Sequence, residues 1–195
     1  MSGDDRSFGT GGAPGIAQVI DAALFAAQAH RQQRRKGEVA DPYVNHVIEV
    51  ADRLARATGG NDPVLIMAAL LHDTVEDCAV SHEDIADRYG PEVSSLVAEV
   101  TDDRSLAKAE RKREQVRHSA HMSERARMIK VADKTSNLLG VGSLPGVGWP
   151  RERRLAYVRW ADEVIANCRG CNAELDENYD AARSFALRNI EGMQE

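Results

Sequence analysis

Apolar residues recur along most of this chain at the three- and four-residue spacing of a helix. Ile16, Ile20, Leu24 and Ala27 share one face of a first helix. Asp41 and Pro42 open a second, in which Val47, Val50, Ala51 and Leu54 form the stripe expected to be buried; Gly59 and Gly60 close it. Asp62-Pro63 starts a third. The run from Leu65 to Leu71 is apolar on every side, which predicts a central helix. Ser81-His82-Glu83-Asp84 reads as a capping box with Asp in the Glu position. It begins a short helix that stops at Tyr89-Gly90, and Pro91 starts another reaching about Val100. Further helices are expected from Leu106 to His118, Ser123 to Leu139, Pro150 to about Cys168, and Asn172 to Glu191. Gly140 to Trp149, rich in Gly and carrying Pro145, reads as a loop. No convincing strand-like alternation occurs. The expected fold is an all-α, single-domain helical bundle over residues 16–195. Residues 1–15, rich in Gly, Ser and Asp, are expected to be a flexible leader.

Composition narrows the function classes. A chain of 195 residues suits one domain with a real core. Aromatics are only 5% while Ala and Leu are plentiful, which favours helices over a sandwich. No apolar run approaches the roughly 18 residues of a membrane span. The N-terminus lacks a basic start followed by an apolar stretch, so no secretion signal is read and the cytoplasm is the expected compartment. A net charge of −6 gives no signature of nucleic-acid binding. The charge is uneven, however. From Arg104 to Lys134 there are ten Lys or Arg against four Asp or Glu, either a solvated helical face or a pocket for a polyanionic small molecule. The three cysteines, Cys78, Cys168 and Cys171, do not make a disulfide framework. Cys168 and Cys171 have the spacing of a redox or half-zinc motif, but with no second ligand pair they read as thiols at a helix end.

The chemistry concentrates in His72-Asp73-Thr74-Val75-Glu76-Asp77, directly after the most hydrophobic run. Four ionisable side chains at the end of a buried helix are costly without partners. Three carboxylates this close repel one another, and a divalent cation removes that repulsion. A mixed imidazole and carboxylate shell suits Mn²⁺, Fe²⁺ or Zn²⁺ better than Mg²⁺. Two ligands do not hold such an ion alone. His46 lies upstream in a helix, and Asp133 downstream after the apolar approach of Ile129 to Ala132.

The order His46, His72-Asp73, Asp133 resembles the ligand order of the HD phosphohydrolases. A closer resemblance is to the RelA/SpoT-type hydrolases. It is carried by Arg35-Lys36-Gly37-Glu38 with Pro42-Tyr43-Val44-Asn45-His46, by His72-Asp73-x-x-Glu76-Asp77, and by Lys130-Val131-Ala132-Asp133-Lys134-x-x-Asn137. Small stand-alone members, including the metazoan SpoT homologue, are similar further, through Glu99 to Asp103, Glu110 to Arg113, and Trp149 to Trp160 with Tyr157. The similarity runs from about Ile16 to about Ala173. Val47 stands where many long relatives have Pro, residues Val39 to Asp41 look like a short insertion, and Ser136 replaces a residue that is often aromatic.

The resemblance implies one Mn²⁺ held by His46, His72, Asp73 and Asp133. It implies hydrolysis of the 3′-pyrophosphate of guanosine 3′,5′-bis(diphosphate) (ppGpp) to GDP and pyrophosphate, lowering the level of this alarmone of the stringent response. The ion would lower the pKa of a bound water and polarise a phosphoryl oxygen. Glu76 and Asp77 would orient or deprotonate the attacking water. Arg35 and Lys36 would face the guanine, Asn137 the ribose, and Lys108, Arg111, Lys112, Lys134 and Tyr157 the phosphates. No synthetase-like segment follows the helices, so hydrolysis without synthesis is expected. Two other readings stay open: an HD phosphohydrolase of another nucleotide, and a non-catalytic nucleotide-binding module.

Overall fold

A computed structural model describes residues 15–35, 41–143 and 148–192. Its elements are α1 (Ile16–Ala29), α2 (Val44–Ala57), α3 (Pro63–Leu71), α4 (Thr74–Asp77), α5 (His82–Tyr89), α6 (Pro91–Val100), α7 (Lys108–Ser119), α8 (Glu124–Gly142), α9 (Arg151–Ala166) and α10 (Ala173–Glu191). No strand longer than a single bridge, Arg34 to Pro42, occurs among the described residues. The fold is the all-α one that the periodicity predicts. The expected leader lies outside the described residues, apart from Gly15, which precedes α1.

The central helix is α3. The Asp62 carboxylate accepts from the Leu65 amide at 3.0 Å, Pro63 occupies the first turn, and every residue from Val64 to Leu71 is buried. It packs against α1, α2, α6 and α8. At about 1.5–3 kcal/mol for each fully buried Leu or Ile, this one helix supplies much of the core. Two helices beside it, α2 and α8, also touch each other. Thus α2, α3 and α8 meet along one line, and each carries an expected metal ligand. The Ser81–Asp84 capping box forms as read, with both reciprocal bonds.

Four readings of the pattern need correction. The stripe of α1 does not face the core: Ile16, Ile20 and Leu24 are 82%, 64% and 41% exposed. The inward face is Asp21, Ala22 and Ala26. Asp21 is turned in because Arg88 donates to it from Nε and Nη2, both at 2.8 Å, and the Tyr89 hydroxyl donates at 2.8 Å. These bonds satisfy both oxygens of the buried carboxylate, as a charge facing the core requires. Helix α2 begins at Val44, and Asp41 does not cap it; its carbonyl accepts from the Arg35 amide at 2.8 Å. Helix α7 begins at Lys108, not Leu106. Helix α8 runs on to Gly142 instead of ending at Leu139. Gly142 is needed for packing, since a Cβ there would lie 2.6 Å from the Ala186 Cα of α10.

Cys168 is buried just past α9 and Cys171 is half-buried; both are free thiols, and burial pushes the Cys168 thiol up to about 11. No helix among the described residues is long and apolar enough to cross a membrane.

Candidate active site and metal centre

His46 projects from α2, His72 ends α3, Asp73 caps the short α4, and Asp133 lies midway along α8. The His-Asp doublet thus sits at the end of the buried helix, at a break before the next. The break lets both side chains point the same way. His46 Nε2 lies 3.3 Å from Asp133 Oδ1 and 3.6 Å from Asp73 Oδ2; His72 Nε2 lies 3.1 Å from Asp73 Oδ2 and 4.0 Å from Asp133 Oδ1. Ligand atoms of His46, His72 and Asp133 all fall within 4.8 Å of one another.

The opposite ring nitrogens fix the tautomers. His72 Nδ1 is 2.7 Å from the Ala69 carbonyl, which can only accept, so the ring proton sits on Nδ1. In the neutral ring His72 Nε2 is then a lone pair, buried and without a hydrogen-bond partner among the described residues. A bare lone pair facing carboxylate oxygens is repulsive unless positive charge lies between them. Burial lowers the His72 pKa, yet Asp73 and Asp133 outweigh it and lift the ring to about 9, which marks the point between them as strongly favourable to positive charge. Burial alone would raise the Asp73 carboxyl; His72 and His46 hold it well below the usual range. The donor set fits a divalent cation. Around it, the Tyr43 hydroxyl donates to Asp73 at 2.6 Å, Asn137 Nδ2 to Asp133 Oδ1 at 2.5 Å, and Lys134 Nζ to Asp133 Oδ2 at 2.7 Å.

The two further acids differ sharply. Asp77 is engaged at both oxygens, by Gln33 Nε2 at 2.7 Å and by the Arg104 guanidinium. Gln33 is itself fixed by buried His30, whose Nδ1 is 2.6 Å from its Oε1; Cys78 Sγ lies 3.4 Å from the same nitrogen. Glu76 has looser partners, the Asp102 amide at 3.3 Å and Arg104 Nε at 3.5 Å. Burial, then Asp102 and Asp73, push its pKa above the usual value. Glu76 is therefore the better proton acceptor and Asp77 the better anchored group.

Tyr43 and Asn137, which bond Asp73 and Asp133, also line a cavity of about 380 Å³, so the ligand cluster lies beneath it as its floor. Of the expected substrate contacts, Arg35, Asn137 and Tyr157 line it, together with Arg104 and Trp149. Gly140 leaves room for Arg35: a Cβ there would lie 3.2 Å from its Nη2. Lys112 Nζ sits over the Trp160 ring at 4.3 Å, with Tyr157 at 5.7 Å. Burial lowers its pKa, and Lys108, Lys134 and Arg153 lower it further, so four cations share this corner. Lys108 is exposed and Arg111 half-buried on α7. Lys134 is buried against Asp133, where it neutralises the carboxylate. Lys36 lies outside the described residues.

The HD-domain family profile matches residues 22–147. The chain belongs to the HD-domain family. Among its relatives, the guanosine-3′,5′-bis(diphosphate) 3′-pyrophosphohydrolase MESH1 of Drosophila melanogaster is 48% identical over 164 residues, covering 84% of this chain and 92% of that protein. Human MESH1, named for the same activity, is 45% identical over 161 residues, covering 83% and 90%. A solved structure of a metazoan SpoT ortholog, described as hydrolysing ppGpp with a role in starvation responses, is 44% identical with a TM-score of 0.82, covering 92% of this chain and 99% of that one. The resemblance to small RelA/SpoT-type hydrolases therefore holds over nearly the whole HD domain.

Sequence reading passed over several residues of this HD-domain site. Arg104 opens the basic stretch noted above but carries no motif. Gln33 is uncharged in a polar run and gives no signal. Tyr43 and Trp149 stood only inside quoted motifs, and Glu49 was not singled out.

Proposed function

We propose that this HD-domain protein is a metal-dependent phosphohydrolase that removes the 3′-pyrophosphate of ppGpp, giving GDP and pyrophosphate. The observation that carries the reading is the meeting of His46, His72 and Asp133 within 4.8 Å, with Asp73 beside both imidazoles, directly behind the Tyr43 and Asn137 side chains that line an arginine-rich cavity. The near full-length similarity to proteins named for this activity supports the substrate.

His46, His72, Asp73 and Asp133 would hold one Mn²⁺. That ion, when bound, supplies Lewis-acid polarisation of a phosphoryl oxygen and of a water. Glu76 accepts a proton as water oxygen bonds to the 3′ phosphorus. The bond from that phosphorus to the ribose 3′ oxygen breaks, and the oxygen takes up a proton, returned from Glu76 directly or through solvent, to leave as the 3′ hydroxyl of GDP while the hydroxyl from water stays on the pyrophosphate. Asp77, held by Gln33 and Arg104, orients the water. Arg35 and Lys36 stack on or bond the guanine, Asn137 faces the ribose, and Lys108, Arg111, Lys112, Lys134 and Tyr157 surround the phosphates, Lys134 acting through Asp133. Residues 16–195 act as one hydrolase domain, working in the cytoplasm to lower the alarmone level. The test is purified protein with ppGpp and Mn²⁺, with and without chelator, beside a panel of other nucleotides. GDP plus pyrophosphate, lost on chelation, is expected. Binding of ppGpp with no turnover in Mn²⁺ would leave a nucleotide-binding module instead.

A further inference from the structure

Ser136 is fully buried in α8, one turn past Ala132 and next to the metal line. A hydroxyl within a helix ordinarily bonds back to the carbonyl four residues earlier. Thr135 does so to Val131 at 2.7 Å, and Ser143 to Leu139 at 2.7 Å. Ser136 does not. Its hydroxyl reaches across to α2, where it lies 2.6 Å from Glu49 Oε2 and 3.0 Å from His46 Nδ1.

For the neutral imidazole that binds a cation, the proton count in this trio has one solution. A hydroxyl carries one proton, and the Glu49 carboxylate can only accept, so Ser136 donates to Glu49. The Ser136 oxygen is then free to accept, so the His46 ring proton sits on Nδ1. His46 Nε2 is left as a lone pair aimed at the same point as His72 Nε2. Glu49 is in turn paired with Arg35 (Nη1 to Oε2, 3.3 Å), and Arg35 Nη2 donates to the Ser136 carbonyl at 3.3 Å. Arg35 lines the substrate cavity.

We propose that Ser136 is a positioning residue for the metal centre, the middle of a Glu49–Ser136–His46 relay that fixes the His46 tautomer and makes that imidazole a stronger donor to the cation. The relay rests on the reading that His46 is a metal ligand. Its contribution differs from that of His72, which is oriented by a neutral backbone carbonyl alone. Through Arg35 the relay also ties the metal floor to the wall where the nucleotide sits.

The experiment is Mn²⁺ titration of the chelator-stripped full chain, followed by the electron paramagnetic resonance signal of free Mn²⁺. Ser136→Ala is expected to weaken Mn²⁺ binding by roughly 10- to 100-fold, the usual cost of losing such an outer partner. Glu49→Gln, at a half-exposed position, keeps the size of the side chain, removes its charge and weakens binding about threefold or more. Ser136→Thr keeps the hydroxyl and restores near wild-type affinity. Turnover of Ser136→Ala should recover at high Mn²⁺, with KM for ppGpp little changed, whereas a merely structural serine would lower thermal stability and leave Mn²⁺ affinity alone. Wild-type affinity in folded Ser136→Ala, while His72→Ala binds none, overturns the relay and leaves the metal site standing. If Ser136→Ala does not fold, Glu49→Gln decides in its place. No Mn²⁺ uptake by the wild-type chain overturns the metal reading itself, and the relay with it.

Discussion

The floor and the rim of the cavity are built on opposite principles. On the floor, short side chains from three packed helices converge, and each is fixed from behind: His72 by the Ala69 carbonyl, His46 by Ser136, Asp133 by Lys134 and Asn137. Around the rim, long cationic side chains come from segments outside that triad, in the cavity wall or against it. Arg104 is 55% exposed, and Lys112 rests on the face of Trp160. A floor of this kind resists movement and can hold a cation in one geometry. A rim of long side chains can follow a flexible polyphosphate and tolerates change. Changes on the floor should therefore alter chemistry, and changes at the rim should alter affinity.

The largest effect tests the floor. His72→Ala or Asp73→Ala should abolish Mn²⁺ uptake and ppGpp turnover while circular dichroism still shows the native helical content. Unchanged turnover in either variant would mean that this residue does not hold the catalytic ion. Next comes the seam between floor and rim. Glu76→Gln should retain Mn²⁺ but lose about 10²- to 10⁴-fold in kcat, the usual worth of a general base. Loss of Mn²⁺ in that variant would instead make Glu76 a ligand. Asp77→Asn keeps one acceptor for Arg104 and Gln33 and should lose less.

A smaller effect tests the rim. Lys112→Met preserves the apolar stem over Trp160 and removes the charge. KM for ppGpp should rise roughly tenfold, near the worth of one charge-assisted bond, with kcat almost unchanged. A fall in kcat at constant KM would place Lys112 on the reacting phosphate and make it part of the chemistry of the floor.

The floor was legible in the sequence because its chemistry demands rare residue types in a fixed order. The bundle was legible because its helices carry caps and apolar stripes. Other features were not. The periodicity of α1 names a face, but which side the core occupies depends on Arg88, 67 residues away from Asp21. Gly142 reads as a breaker, and only the close approach of α10 makes it a packing residue. The partnership of Ser136 with Glu49 spans 87 residues, and that of Arg104 with Asp77 spans 27. Polar pairs like these carry no local pattern. They are chosen by how the helices pack, so only a three-dimensional arrangement brings them into view.

The smallest effect is at Arg104, where rim and floor touch. Its guanidinium lies 3.5 Å from Glu76 and also holds Asp77. Glu76 acts when ionised, so turnover should fall as pH drops through its pKa, which burial already holds above the ordinary carboxylate value. A nearby cation favours the ionised form. Arg104→Gln removes that cation, so the Glu76 pKa rises and the acid limb of kcat moves to higher pH. Arg104 is more than half exposed, and solvent screens it, so the shift should be less than about one pH unit. Asp77 keeps its bond from Gln33, so the plateau rate should change by no more than about threefold. The measurement is kcat against pH at saturating Mn²⁺ and ppGpp. Added salt should move the wild-type limb in the same direction and the variant's much less. A limb that stays still or moves to lower pH would mean that Glu76 is not the group titrating, and that Arg104 belongs wholly to the rim.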